Sequence, residues 1–294
     1  MVQIGTVQEL WRFPVKSMAG EHVASAQLGA DGIAGDRAYA LLDVETGRVV
    51  SAKNARLFPR LLECRAVNTD QGTASAGTAV RIELPDGSVV SSDDANADSR
   101  LSQHFGRTLR LVRQAPADYT VDQHHPDLGA AMEPVAQRRT RPQKLGAALF
   151  AELGFPSPVR PGRLVDAFPL SLLSRSSLTR LESLEPQTRF EPARFRMNMI
   201  VEPSDPQRQE TDWIGRTLTI GSAVQAKVLI PAPRCVVTTL SQHGIDEDLG
   251  VLRALVRHNQ QPVLGQPGTL PCCGVYAVVA AGGEIRVGDV ISLH

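Results

Sequence analysis

The chain has 294 residues, 42% of them hydrophobic, with 31 Lys and Arg set against 31 Asp and Glu and a formal net charge of zero. That length buries a sizeable core in one large domain or two. The balanced charge argues against a protein whose main task is gripping nucleic acid or an anionic membrane face. No apolar run approaches the roughly 18 residues of a membrane-spanning helix, and Met1-Val2-Gln3-Ile4-Gly5 leads straight into strand-like sequence, so no signal peptide and no membrane partner are expected. Cys64, Cys235, Cys272 and Cys273 are too sparse for a disulfide scaffold, which makes a cytoplasmic, reducing setting the expectation.

The first hundred residues read as short strands between turns. Val7-Gln8-Glu9-Leu10-Trp11-Arg12-Phe13 alternates apolar and polar side chains, and Pro14 ends the ladder because it has no N–H to donate. Residues 38–43 and 48–51 flank a Gly47 turn and predict a hairpin. Strands are expected over 61–69, 80–84 and 109–112, with a Pro85-Asp86-Gly87 turn and helical spacing over 94–105. Residues 114–163, with prolines at 116, 126, 134, 142, 156, 158 and 161, read as a long irregular connection. The domain boundary is placed inside it, giving domains of 1–130 and 131–294. Beyond it, 170–173 is strand-like and 176–184 is amphipathic with Ser176 as N-cap. Further strands are expected at 195–202, 217–220, 224–230, 236–239 and 275–280, and across the Gly288-Asp289 turn within 285–293. Residues 249–258 carry Leu252, Leu255 and Val256 at helical spacing. The fold class is mainly β (α+β), with regular strands suggesting a barrel or sandwich.

Chemistry concentrates at a few positions. Cys235 follows Pro231-Ala232-Pro233-Arg234 and precedes Val236-Val237-Thr238-Thr239. An adjacent guanidinium favours thiolate, the form that ligates metals or attacks electrophiles, whereas a lone Cys before two valines is also ordinary core filling. Lys16-Ser17, Arg37 after the Asp31-Gly32-Ile33-Ala34-Gly35 turn, and Arg194-Phe195-Arg196-Met197-Asn198 are candidate anion binders. If 195–202 is a strand, Arg194, Arg196 and Asn198 share one face. Vicinal Cys272-Cys273 is a poor zinc pair, and His124-His125 with Asp122 and Asp127 reads as a polar loop before it reads as a metal site. No dinucleotide fingerprint, phosphate-binding P-loop, zincin helix or nucleophile elbow is present.

Taken together, these segments resemble a known family. Trp11-Arg12-Phe13-Pro14-Val15-Lys16-Ser17 and Gly32-Ile33-Ala34-Gly35-Asp36-Arg37 are similar to the hallmark stretches of the β-barrel domain that precedes MOSC domains. Arg194-Phe195-Arg196-Met197-Asn198, Pro233-Arg234-Cys235-Val236-Val237-Thr238-Thr239 and Val287-Gly288-Asp289-Val290 are similar to the MOSC (molybdenum cofactor sulfurase C-terminal) domain itself. The resemblance therefore implies an N-terminal β-barrel domain plus a C-terminal MOSC β-barrel domain. It is nearest to the branch of the amidoxime-reducing components, and it implies a molybdenum cofactor (Mo-molybdopterin) with Cys235 as the metal ligand. Lys16, Ser17, Arg37, Ser174, Arg196 and Arg234 fall where that family binds the cofactor's phosphate and pterin, with Asn198, Thr238 and Tyr276 lining the same cavity. The implied activity is reduction of N-hydroxylated small molecules by oxygen-atom transfer, with electrons from a separate donor protein. Alternatives of other classes are a persulfide carrier on Cys235, with Cys272 or Cys273 as resolving thiol, and a carrier that stores the cofactor without turnover. Leu240-Ser241-Gln242 stands where that branch usually has Val-Asp-Pro, a departure that bears on substrate and on hydrogen bonding around the metal.

Overall fold

The computed structural model describes residues 2–70, 78–124, 139–263 and 265–294. Its largest element is a closed barrel of seven strands, in the order Leu170–Ser174, Met199–Pro203, Val2–Arg12, Val290–Leu293, Thr217–Ile220, Val224–Pro233 and Thr269–Ala281, the last pairing back onto the first. Closure removes the exposed edges that an open sheet would present. Apolar side chains alternate inward along the staves, and Val7, Leu10, Leu172, Met199, Leu218, Val228 and Ala277 fill the interior.

The stave Val2–Arg12 belongs to the N-terminal half of the sequence yet sits between Met199–Pro203 and Val290–Leu293. The sheet thus crosses the expected 130/131 boundary, which itself lies outside the described residues. One pair of neighbouring staves, Leu170–Ser174 and Met199–Pro203, is parallel. A parallel pair needs a crossover, here made by the helix Arg175–Leu184 and the single turn Pro192–Phe195.

Small antiparallel sheets form the rest of the N-terminal half. Arg65–Asn68, Val80–Glu83 and Val89–Ser91 make one, and Leu109–Val112, Ala40–Asp43 and Arg48–Val49 another. With the helix Ala97–Phe105 they enclose a second core of Val15, Met18, Leu41, Leu62, Ile82 and Leu101. Val236 and Leu240 from the C-terminal half are buried in that same core. No helix among the described residues is long and apolar enough to cross a membrane.

The architecture is mainly β, as expected, while several local expectations are corrected. Residues 194–198 do not form a strand: Pro192 opens a helical turn that ends at Phe195, and Arg196 is left-handed. Arg194, Arg196 and Asn198 therefore share no strand face. Val236–Thr239 is a 3-10 turn rather than a strand, because its Thr238 and Thr239 hydroxyls fold back onto the carbonyls three residues earlier. Residues 61–63 likewise form a 3-10 turn ahead of the strand Arg65–Asn68. The expected irregular stretch 114–163 contains the hairpin Thr120–His124/Thr140–Lys144 and the helix Gly146–Leu153. The amphipathic helix begins at Arg175 after Ser174, not at an N-cap Ser176. His125 and Asp127 lie outside the described residues.

Candidate functional site

Where the first stave ends, the chain turns inward. Pro14 accepts from Tyr39 N–H at 3.0 Å through its carbonyl, and Lys16 N–H donates to the Tyr39 carbonyl at 2.8 Å. Phe13 N–H donates to Asp36 Oδ1 at 2.7 Å, which seats the 32–37 turn against the end of the stave. The glycine opening that turn is required: at φ 93°, a Cβ on Gly32 would stand 2.0 Å from the Pro169 carbonyl oxygen.

Two arginines converge there. Arg37 is ion-paired with buried Asp36 and donates from Nη2 to the Arg196 carbonyl at 3.0 Å. Arg196 in turn donates from Nη1 to the Met18 carbonyl at 2.6 Å. Both guanidinium carbons stand over the Phe13 ring, at 4.8 Å and 4.4 Å from its centre. Ser17, Arg37 and Arg196 are the three non-glycine residues with positive φ among those described, at 63°, 44° and 53°. Left-handed backbone disfavours residues with a Cβ, and such strain clusters where a side chain must be aimed.

The cations are not balanced pairwise. Burial, then the neighbouring Arg37, pushes Arg196 down to about 9, against the pull of Asp36 and Asp166. A guanidinium stays protonated at neutral pH, so Arg196 is a desolvated charge with a second cation beside it. Buried Lys16 lies 5.5 Å from the Tyr119 ring centre and pairs with Asp166. Burial drives Lys16 down while Asp166 opposes it. Lys53 Nζ lies 3.3 Å from the other Asp166 oxygen. Burial raises the Asp166 carboxyl, but Lys16, Lys53 and Arg37 outweigh it and hold it well below the usual carboxylate range.

Cys235 follows the stave Val224–Pro233, half-buried, with its thiol free of any disulfide. Thr238 anchors the turn beyond it, donating from both N–H and Oγ1 to the Cys235 carbonyl at 3.1 and 3.0 Å. On one side of the cysteine Ala232 packs with Phe195 and Met197; on the other Val236 enters the N-terminal core. Cys235 therefore lies at the seam between the two halves. Arg234 donates to the Phe195 carbonyl at 2.7 Å and to Ala232 at 3.1 Å, and its buried Nη2 has no hydrogen-bond partner among the described residues. Its guanidinium lies 5.9 Å from the Tyr276 ring centre. Gly274, at φ 87°, lets this segment close in, since a Cβ there would meet Met197 Cε at 2.2 Å.

Two sequence-predicted residues face other partners. Asn198 is buried and saturated, with Nδ2 donating to Asp36 Oδ2 at 3.1 Å and Oδ1 accepting from Ser171 Oγ at 2.9 Å. Ser174 is fully buried, its Oγ 2.7 Å from Ser176 Oγ and its N–H donating to Glu210 Oε2 at 3.2 Å. Cys272 and Cys273 are buried, the first thiol pushed up to about 11 and the second well above its ordinary range, chiefly by burial. Among the described residues no cluster of three or more His, Cys, Asp or Glu is arranged to hold a metal. Sequence reasoning missed Phe13 as the common platform and Asp166 as the partner of Lys16. Phe13 carried a signal by standing beside Pro14 in the quoted motif; Asp166 carried none.

The profile of the MOSC domain matches residues 160–292, and that of the MOSC N-terminal beta barrel domain matches residues 4–115. Mitochondrial amidoxime-reducing component 1 of Homo sapiens is 28% identical over 310 residues, covering 99% of this chain and 83% of its own length. Mitochondrial amidoxime reducing component 2 of Homo sapiens is 27% identical over 318 residues, with coverages of 98% and 83%. Among solved structures, the YUAD protein from Bacillus subtilis aligns over 100% of this chain and 97% of its own, at 13% identity and a TM-score of 0.42. The two profiles match successive parts of the chain, which therefore carries a MOSC N-terminal β-barrel domain followed by a MOSC domain.

Proposed function

We propose that this protein binds a molybdenum–molybdopterin cofactor along the seam and uses it to reduce N-hydroxylated small molecules. The observation that carries the reading is the coincidence of strain and charge: among the described residues, the three non-glycine positions with left-handed backbone are the two stacked arginines and Ser17, the neighbour of buried Lys16. Backbone strain and unbalanced cations together describe a cradle built for an anion. The orphaned, buried Nη2 of Arg234, next to Cys235, is a donor in want of an acceptor, and a cofactor carrying phosphate and carbonyl oxygens satisfies it. The donor set thus fits the group.

In this reading Lys16, Ser17, Arg37 and Arg196 hold the phosphate end, Arg234 and Tyr276 the pterin, and Cys235 ligates the metal as a soft thiolate. Asn198 acts one step back, by fixing the Asp36 carboxylate that aims Arg37. Thr238 holds the Cys235 carbonyl and so fixes the sulfur's approach. Ser174 enters as part of the buried Glu210 network beneath the site. When bound, the cofactor supplies two-electron oxygen-atom transfer from an N–O group. The resemblance to amidoxime-reducing components supports the substrate class, and a separate electron-donor protein and a reducing, cytoplasmic setting complete the proposal. Burial of Cys272 and Cys273 weighs against either serving as the resolving thiol of a persulfide carrier.

Cys235→Ser tests it. Protein purified from a host that makes the cofactor is expected to contain molybdenum near one per chain and to reduce benzamidoxime with reduced methyl viologen. The variant is expected to lose at least about tenfold in activity, with its metal content reduced. Full molybdenum occupancy in the variant overturns the ligand assignment. A metal-loaded wild type without turnover leaves the storage role.

A further inference from the structure

Tyr276 is one end of an aromatic run whose other two rings, Phe168 and Phe150, take no part in holding the cofactor. The Phe168 ring stacks on Tyr276 with centres 5.3 Å apart and planes at 17°, and Phe150 meets Phe168 edge-on at 5.6 Å and 89°. None of the three is fully buried. The helix Gly146–Leu153 that carries Phe150 is almost wholly apolar, yet only Gly146 in it is buried. The strip continues outward through Leu153 and Phe155, which are 37% and 45% exposed.

At its inner end the strip is pinned. Asp166, two residues before Phe168, is tied to Lys16 and Lys53, and Pro169 is pressed against Gly32. The guanidinium of Arg234, the residue before Cys235, lies 5.9 Å from the Tyr276 ring centre. A row of aromatic rings thus runs from the exposed Leu153 and Phe155 edge to Arg234, the residue before Cys235. Apolar surface left half-open beside a reactive centre is unfavourable unless a ligand covers it. Stacked rings present flat π-faces, which favour a planar partner over a bulky aliphatic one.

We infer that Phe168, backed by Tyr276 and Phe150, is a specificity-determining shelf that takes the ring of a planar aromatic amidoxime, with the N–O group directed towards Cys235. The inference rests on the function proposed above and names the substrate class within it. Alanine at 168 removes the stacked face, while leucine keeps the bulk without the π-system.

The test compares benzamidoxime with acetamidoxime, using reduced methyl viologen as donor, in wild type, Phe168→Ala and Phe168→Leu. Phe168→Ala is expected to raise KM for benzamidoxime about three- to tenfold with little change in kcat, and to leave KM for acetamidoxime within about twofold. Phe168→Leu is expected to fall between, and decides the matter should the alanine variant fail to fold. Calorimetry with benzamidine, the product, gives a second readout without turnover: binding to wild type is expected to weaken by the same factor in Phe168→Ala. Equal effects on both amidoximes, or benzamidine binding that is absent from wild type or unchanged in the variants, overturn the shelf. Should wild type reduce neither amidoxime, the proposed activity falls, and the benzamidine titration alone decides the shelf.

Discussion

At the scale of single residues, the site is a balance between like charges and one aromatic ring. Arg37 and Arg196 share the face area of Phe13, and each is anchored through a single backbone carbonyl of another segment. Their mutual repulsion is offset in part by Asp36, which pairs with Arg37, and by Asp166, while left-handed backbone holds both arginines in place. An anion entering between them removes that repulsion, so the cofactor-free protein is expected to be stabilised by pyrophosphate. A ligand held at a hundredfold its Kd adds about 2.7 kcal/mol, roughly 5 °C in the thermal midpoint of a chain this size. Arg196→Gln is expected to lose most of that rise while moving the ligand-free midpoint by only a few degrees. The loss of one hydrogen bond and one cation–π contact is offset there by relief of the like-charge pair. A midpoint rise in Arg196→Gln equal to that of wild type places the anion elsewhere.

At the scale of elements, the segment 164–169 links the cation site to the aromatic strip, and Asp166 is its fastening. The carboxyl of Asp166, part-exposed, is held low by Lys16, Lys53 and Arg37, so the unfolded chain binds its proton more tightly than the folded one. The stabilisation it supplies is therefore complete above the ordinary carboxylate pKa and is lost as pH falls below about 4. Asp166→Asn leaves buried Lys16 without its counter-charge, and is expected to lower the thermal midpoint by several degrees at neutral pH. The gap to wild type is expected to narrow as thermal melts are taken from about pH 6 towards pH 3. A gap that stays constant with pH means the pair does not act through charge. The sequence disclosed the cationic end of this element pair and not the acidic one. Lys16, Arg37, Arg196, Arg234 and Cys235 stand in short motifs whose order survives in one dimension. Asp166 sits 150 residues from Lys16, with neither spacing nor turn chemistry to mark it. The strand expected over 195–202 starts only at Met199, for a local reason that could have been read: Pro at a first helical position pre-sets φ for a turn, and Pro192 stands there.

At the scale of the whole molecule, strand patterns were legible because a half-buried stave alternates in sequence, but partners of a stave are not. Residues 2–12 alternate as any edge or central strand would, and nothing in them says that they close a barrel whose other staves lie after residue 169. Tertiary pairing of this kind joins the two halves through the same strand whose end delivers Phe13 and Lys16 to the site. A fragment of residues 131–294 lacks that stave and exposes the facing edges of Met199–Pro203 and Val290–Leu293, which invites aggregation. It is expected to be poorly soluble and to melt without a cooperative transition. Appending residues 1–13 through a flexible Gly/Ser linker after His294 gives the barrel its seventh stave back, because Val2 pairs with Leu293 and the strand runs antiparallel to Val290–Leu293. The linked fragment is expected to recover a cooperative melt and dispersed amide resonances, whereas the same linker carrying a scrambled sequence is not. A fragment of 131–294 that folds cooperatively unaided shows that the barrel closes without its first strand, and then the junction of the two halves owes its geometry to side-chain packing alone.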